Sequence, residues 1–503
     1  MNRRIEKIIE TRKENLSVRL ENINEYRARP MFNNGGASYE ISDRITAIHC
    51  GGIGMAHELA NRMGLPDMIN DSVRVFKKHR PYFESDHILN MAYNILSGGT
   101  CLEDIELLRN NEAYMDALGA RRIPDPTTAG DFLRRFGEED IRKLAGVIGR
   151  ANVMMWKRMA GGRKKLGLGI LDVDGKIQET TGECKEGMDI SYKKSWGFSV
   201  LLLTEAASGM HLNVVNRPGN ALSQEGAGEY MDDAIETMKK AFARIIMRGD
   251  TAFSLTKKFD DWTEGDVGFI FGYDAHPNIE KIAENIGENG WRALEAKEKN
   301  CLPNNRRKKK PRVKAAAVKR RRYRRLEQVG EHVAEFRYQP VKCGREYRMI
   351  AVRKRIEVSR GHAQLFDTYR YFFYITNIED KSPEELVLLI RGRCNHENRI
   401  EQMANGVCAL KMPTAEFYAN WAYMLVGALA WNMKAYIGLM IPDKKKASEI
   451  LKCEFKRFQN ALINIPCQIL TTGRRIVYRF LNYSPWVEVI FAVIPRMRAL
   501  EFT

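Results

Sequence analysis

The stretch LGLGILDVDGK, residues 166–176, ends an apolar run in two aspartates, Asp172 and Asp174. Side chains alternate across a strand, so residues two apart share a face, roughly 6–7 Å apart. Both carboxylates therefore point the same way, and spacing alone does not choose between them. Asp250, in IIMRGDTAF, ends another apolar strand pattern, and Glu397 lies in the helical stretch RGRCNHENRIEQM. Two carboxylates about 4 Å apart repel by roughly 4 kcal/mol at an effective dielectric near 20. Either one takes a proton or a cation holds them together. Hard carboxylate oxygens suit Mg2+ or Mn2+. Two such ions about 3.5–4 Å apart clamp an in-line displacement at phosphorus. Each acid also has a plainer use: Asp ends turns and caps helices, and Glu is ordinary on a solvated helix face. Their order along the chain is what favours metal-dependent chemistry.

The elements that must position these acids follow from periodicity. Residues 1–165 read as mostly helical, with three-and-four apolar spacing in GMAHELANRMGLPDMI and HILNMAYNILSGGTCLEDIELLRNN. IPDPTTAGDFLRRF places Thr127 or Thr128 as the cap of a further helix. From residue 166 the period changes. LGLGILDVD, WGFSVLLLT and MHLNVVN read as three short strands, followed by a helix at about 225–244, the strand RIIMRGD, a helix, and the strand GDVGFIFGYD. That order is the order of a ribonuclease-H-like α/β core. Three further alternating stretches, EHVAEFRYQPV, REYRMIAVRKRIEV and YRYFFYITNI, form a basic, β-rich insertion. Helices resume at SPEELVLLIRGRCNHENRIEQM, where Ser382, Pro383 and Glu385 provide a cap, a first-turn proline and a capping-box acid. The domain organisation expected is 1–165 helical and DNA-end binding, 166–280 the first part of the core, 281–380 the insertion, and 381–503 the rest of the core with C-terminal helices.

Charge says more about partners than about fold. The 503-residue chain carries a formal net charge of +18, which favours a polyanion, nucleic acid before membrane. In the run Arg306 to Arg325, 13 of 20 residues are Lys or Arg and none is acidic. Such a block is commonly a solvated loop. In so basic a chain it reads as an arm along a phosphate backbone, through Arg306, Arg307, Lys308, Lys309, Lys310, Arg320, Arg321 and Arg322. Nine scattered cysteines form no CxxC pair, which disfavours a zinc ribbon or disulfide framework and suits a reducing cytosol. The apolar stretch at 417–441 contains Asn420, Asn432 and Lys434 and reads as buried core helix, so no membrane is expected.

In their order, GLPDMI, LDVDGKIQETTG, GFSVLLLTEAASGMHLNVVNRPGNALS, MRGDTAF, RGRCNHENRIEQMANG and FYANWAYMLVGALAWN resemble the DDE transposases of bacterial insertion sequences, in the group with a Tyr-Arg-Glu-Lys signature. The resemblance runs over most of the chain. It implies catalytic, metal-binding acids at Asp174, Asp250 and Glu397, holding two Mg2+ or Mn2+ ions. It implies an Arg393 contact to a phosphate near the cut, on one helical face with Glu397. The implied activity is cut-and-paste transposition on terminal inverted repeats and target DNA, with a homodimer in the synaptic complex, in the bacterial cytoplasm at the nucleoid. Ile390 and Ala404 stand where the signature has tyrosine and lysine. A catalytically inactive, repurposed DNA-binding protein is the alternative, and a stand-alone nuclease of the same fold is a third. Asp172 then becomes a neighbour of the first ligand, itself hydrogen-bonded or supporting that ligand from behind. Trp291 is either a base-stacking residue or a packed core tryptophan.

Overall fold

A computed structural model describes residues 3–21, 42–78, 81–294, 317, 320–321, 324–360, 363–473, 475–481 and 484–500. The arm residues Arg306, Arg307, Lys308, Lys309, Lys310 and Arg322 lie outside them, while Arg320 and Arg321 are described and exposed. In chain order the strands are β1 (Ala47–Ile48), β2 (Leu166–Glu179), β3 (Asp189–Ile190), β4 (Trp196–Glu205), β5 (His211–Val215), β6 (Phe242–Gly249) and β7 (Val267–Tyr273). After these come β8 (Arg292–Ala293), β9 (Arg324–Tyr338), β10 (Tyr347–Arg360), β11 (Ala363–Thr376), β12 (Cys467–Thr472) and β13 (Arg475–Phe480). The fold is mixed α/β, with a large mixed sheet and many helices. The chain divides into two compact units. One comprises Met1–Leu166, Lys176–Ala221 and Asn398–Thr503, the other Gly167–Gly175 and Leu222–Glu397.

The second unit holds all three candidate acids. Its strands run in the order β2-β6-β7-β11-β10-β9-β8. β6 and β7 are parallel, whereas β7–β11, β11–β10, β10–β9 and β9–β8 are antiparallel. The basic meander β9–β11 is thus hydrogen-bonded directly to β7, with Phe373 opposite Tyr273 and Ile375 opposite Phe271. Both faces of β7 are covered. Phe269 and Phe271 pack with Phe259 and Trp262 on one side. On the other, Ile270 joins Ile246, Val333, Ile350 and Val352 under Leu386, Val387 and Ile390 of the Pro383–Arg391 helix. Two-sided burial is what a near-continuous apolar strand such as VGFIFGY demands. The same helix starts as its sequence dictates. Ser382 Oγ accepts from the Glu385 amide at 3.2 Å, and Glu385 accepts from the Ser382 amide at 2.9 Å.

In the first unit, the Phe417–Met440 helix is buried along nearly its whole length. Its polar residues are satisfied internally, as burial requires. Asn432 accepts from the His211 amide at 2.8 Å and donates to the His211 carbonyl at 2.8 Å and to Asn152 at 3.1 Å. Among the described residues no helix is long and apolar enough to cross a membrane. The helix at IPDPTTAGDFLRRF departs from expectation. Its cap is Asp125, not Thr127 or Thr128, with Pro126 at its first turn. Asp125 accepts from both the amide (2.9 Å) and the hydroxyl (2.7 Å) of Thr128, and a carboxylate is the stronger acceptor for that amide.

Candidate active site

β2 carries both aspartates of the opening stretch, and their surroundings separate them. Asp172 is fully buried. Its two oxygens accept from the Arg248 guanidinium, Oδ1 from Nε at 2.6 Å and Oδ2 from Nη2 at 2.8 Å. Such a bidentate pair saturates the carboxylate's best directions, so Asp172 is committed to Arg248. The apolar pattern predicts a strand ending at Asp174, but β2 continues to Glu179. Asp174 is therefore held inside a strand, with 8% of its surface exposed. Asp174 Oδ1 accepts from the Gly175 amide at 2.8 Å, and Oδ2 accepts from Arg393 Nη1 at 2.6 Å.

Burial raises the Asp174 carboxyl; Arg393 pulls it down and the Asp250 carboxylate pushes it up again, leaving it at about 6. Asp250 directly follows β6, the neighbour of β2. It also serves as a cap: its Oδ1 accepts from the Ala252 amide at 3.0 Å and starts a short 3-10 turn, Thr251–Phe253. The turn use and the pairing with Asp174 therefore coexist in one residue. Two carboxylates that repel one another suit a hard divalent cation, although Arg393 already occupies Asp174 Oδ2. Mg2+ commonly takes one or two carboxylates and fills its remaining positions with water and substrate phosphate.

Glu397 is not brought into this pair. It lies on the Cys394–Glu401 helix and is exposed. Among the described residues no three acids, cysteines or histidines form a group able to hold a metal. The expected shared helical face of Arg393 and Glu397 is also absent. The Pro383–Arg391 helix stops, Gly392 and Arg393 form a turn, and a new helix begins at Cys394. The break has a local cause. Arg248 Nη1 donates to the Leu389 carbonyl at 2.7 Å, and a Cβ on Gly392 would come within 2.5 Å of that nitrogen. The turn frees Arg393 to reach Asp174.

Ile390, at the signature's tyrosine position, is 5% exposed in the apolar layer over the sheet. Its side chain thus serves packing. Ala404 lies in the short π-helical turn Gln402–Gly406 of the other unit. Trp291 is buried, its indole N–H donating to the Ile286 carbonyl at 3.3 Å and Arg353 lying 4.5 Å over its ring. It is a core residue, with one ring face already covered. Arg248 escaped sequence reading. The available signal was Arg248 at the apolar end of the strand, which needs a buried carboxylate somewhere.

No curated protein matches this sequence. Among solved structures, one similar chain is in a cryo-EM structure of the piggyBac transposase synaptic complex with hairpin DNA. It is 9% identical over 82% of this chain and 81% of that one, at a TM-score of 0.34, too distant to bear on the site. A family model described as transposase DDE domain group 1 matches residues 47–502, and the chain belongs to that family of transposases.

Proposed function

We propose that this protein is an insertion-sequence transposase that cleaves DNA at element ends and joins the freed 3′-hydroxyl to target DNA. The carrying observation is placement: Asp174 lies on β2 and Asp250 directly follows the neighbouring β6, where its carboxylate adds to the burial that raises the Asp174 carboxyl. In this reading β2, β6 and β7 belong to a ribonuclease-H-like core. Asp174 and Asp250 hold Mg2+ or Mn2+, and Glu397 is assigned as the third ligand on the family resemblance alone. Two bound ions would activate the attacking water or 3′-hydroxyl and stabilise the leaving oxygen. Arg393 leaves Asp174 for a phosphate near the cut, a bidentate match that a guanidinium makes well. The basic run Arg306–Arg325 follows the DNA backbone, and residues 1–165 contribute to binding the element end. The protein acts as a homodimer on paired ends, in the bacterial cytoplasm.

A second reading, a DNA-binding protein without catalysis, is favoured by one observation: Glu397 is exposed and outside the acid pair. Incubating labelled element ends with purified protein and Mn2+ separates the two. Cleavage by the native chain, abolished in Asp174→Ala and Asp250→Ala, supports the enzyme. Binding with equal inertness of all three supports the alternative. Cutting without joining would point to a nuclease.

A further inference from the structure

Arg248 is a cation with 5% exposure, in the second-to-last position of β6. Burying an ion pair is costly, and apolar residues of similar volume often serve stability as well or better. The pair with Asp172 therefore asks for a reason beyond stability. Its placement supplies one. Asp172 precedes Asp174 by two residues, and Arg248 precedes Asp250 by two. Residues two apart share a face of a strand, so the pair clamps β2 to β6 one step below the two acids. The third guanidinium nitrogen reaches out of the sheet to the Leu389 carbonyl. Leu389 is followed within four residues by Arg393, whose guanidinium meets Asp174 at 2.6 Å. One planar fork thus touches the strand of the first acid, stands on the strand of the second, and holds the helix end that delivers Arg393.

We propose that Arg248 is a positioning residue: through Asp172 it fixes the register of the two acid-bearing strands, and through Leu389 it aims the Gly392–Arg393 turn at Asp174. This rests on the assignment of Asp174 and Asp250 as the reacting acids. A lysine keeps the charge but cannot make three divergent hydrogen bonds from a planar fork. In full-length Arg248→Lys, backbone amide exchange across residues 389–397 should accelerate about tenfold or more. Turnover on labelled ends with Mn2+ should fall about ten- to a hundredfold, with KM for the DNA unchanged, the usual scale for groups that orient a metal site. The double variant Asp172→Leu with Arg248→Met removes both charges. It should keep the unfolding midpoint of the native chain yet show the same faster exchange and impaired turnover, and it decides the matter if Arg248→Lys does not fold. Native exchange across 389–397 in a folded variant overturns the proposal. If the native chain itself does not cleave, the transposase reading fails, while the exchange result still decides the role of Arg248.

Discussion

Asp174→Asn is expected to stabilise the folded chain above pH 6, although it removes a proposed metal ligand. The Asp174 carboxyl titrates at about 6, above its ordinary 3.8, chiefly because it is buried. A raised acid binds its proton more tightly folded than unfolded. The associated stability is fully present below pH 3.8 and is lost as pH rises through 6. The shift of about two units, at 1.36 kcal/mol each, is a penalty of about 3 kcal/mol at pH 8. Asparagine resembles the neutral acid and escapes it. Urea unfolding of both proteins at pH 4 and pH 8 measures the effect. The variant should gain about 3 kcal/mol over the native chain at pH 8, and below about 1 kcal/mol at pH 4. Mg2+ should then narrow the gap at pH 8 by stabilising only the native chain, by about 2.7 kcal/mol at a hundred times its Kd. A gap that does not change with pH, or an asparagine variant less stable at pH 8, would refute the account of a carboxylate strained by burial and by Asp250.

Asp172→Ala strands the Arg248 cation in the core and should cost about 3–5 kcal/mol of unfolding free energy. Asp172→Asn should lower cleavage less than Asp174→Asn, and the reverse order would move the first ligand two residues upstream. Gly392→Ala sets a Cβ 2.5 Å from Arg248 Nη1 and 3.2 Å from the Leu389 carbonyl oxygen. It should destabilise by about 1–3 kcal/mol, as overpacking does, read by thermal or urea unfolding. Deleting Arg306–Arg325 should flatten the salt slope of DNA affinity by about 0.9 for each phosphate the arm no longer neutralises, and an unchanged slope would take the arm off the DNA.

Local signals in the sequence were readable where local physics decides. The Ser382–Glu385 capping box and the strand–helix order through residue 273 needed only neighbours along the chain. So did the all-round apolar character of the 417–440 helix. The misplaced details all depended on distant partners or on a stronger rival nearby. Thr127 and Thr128 are sound caps in isolation, but Asp125 is better placed to take the amide. RGRCNHENRIEQM carries helical spacing throughout, and the break at Gly392 arises from Arg248, a residue 144 positions earlier. The choice between Asp172 and Asp174 was likewise invisible to periodicity, because distant partners distinguish them: Arg248 for one, Arg393 and Asp250 for the other.

Those arginines are far from their aspartates along the chain, and this sets an order of events during synthesis. The Asp172–Arg248 pair joins residues 76 apart, Arg248–Leu389 joins residues 141 apart, and Asp174–Arg393 joins residues 219 apart. At about 5–20 residues per second, a ribosome needs roughly ten to forty seconds between making Asp174 and making Arg393. From the making of Asp250 onward the nascent chain carries both acids without the arginine that neutralises the first of them. A prematurely terminated product ending before residue 389 would lack both the Leu389 anchor and the Arg393 partner, so in truncated copies Asp174 should be left without its neutralising cation.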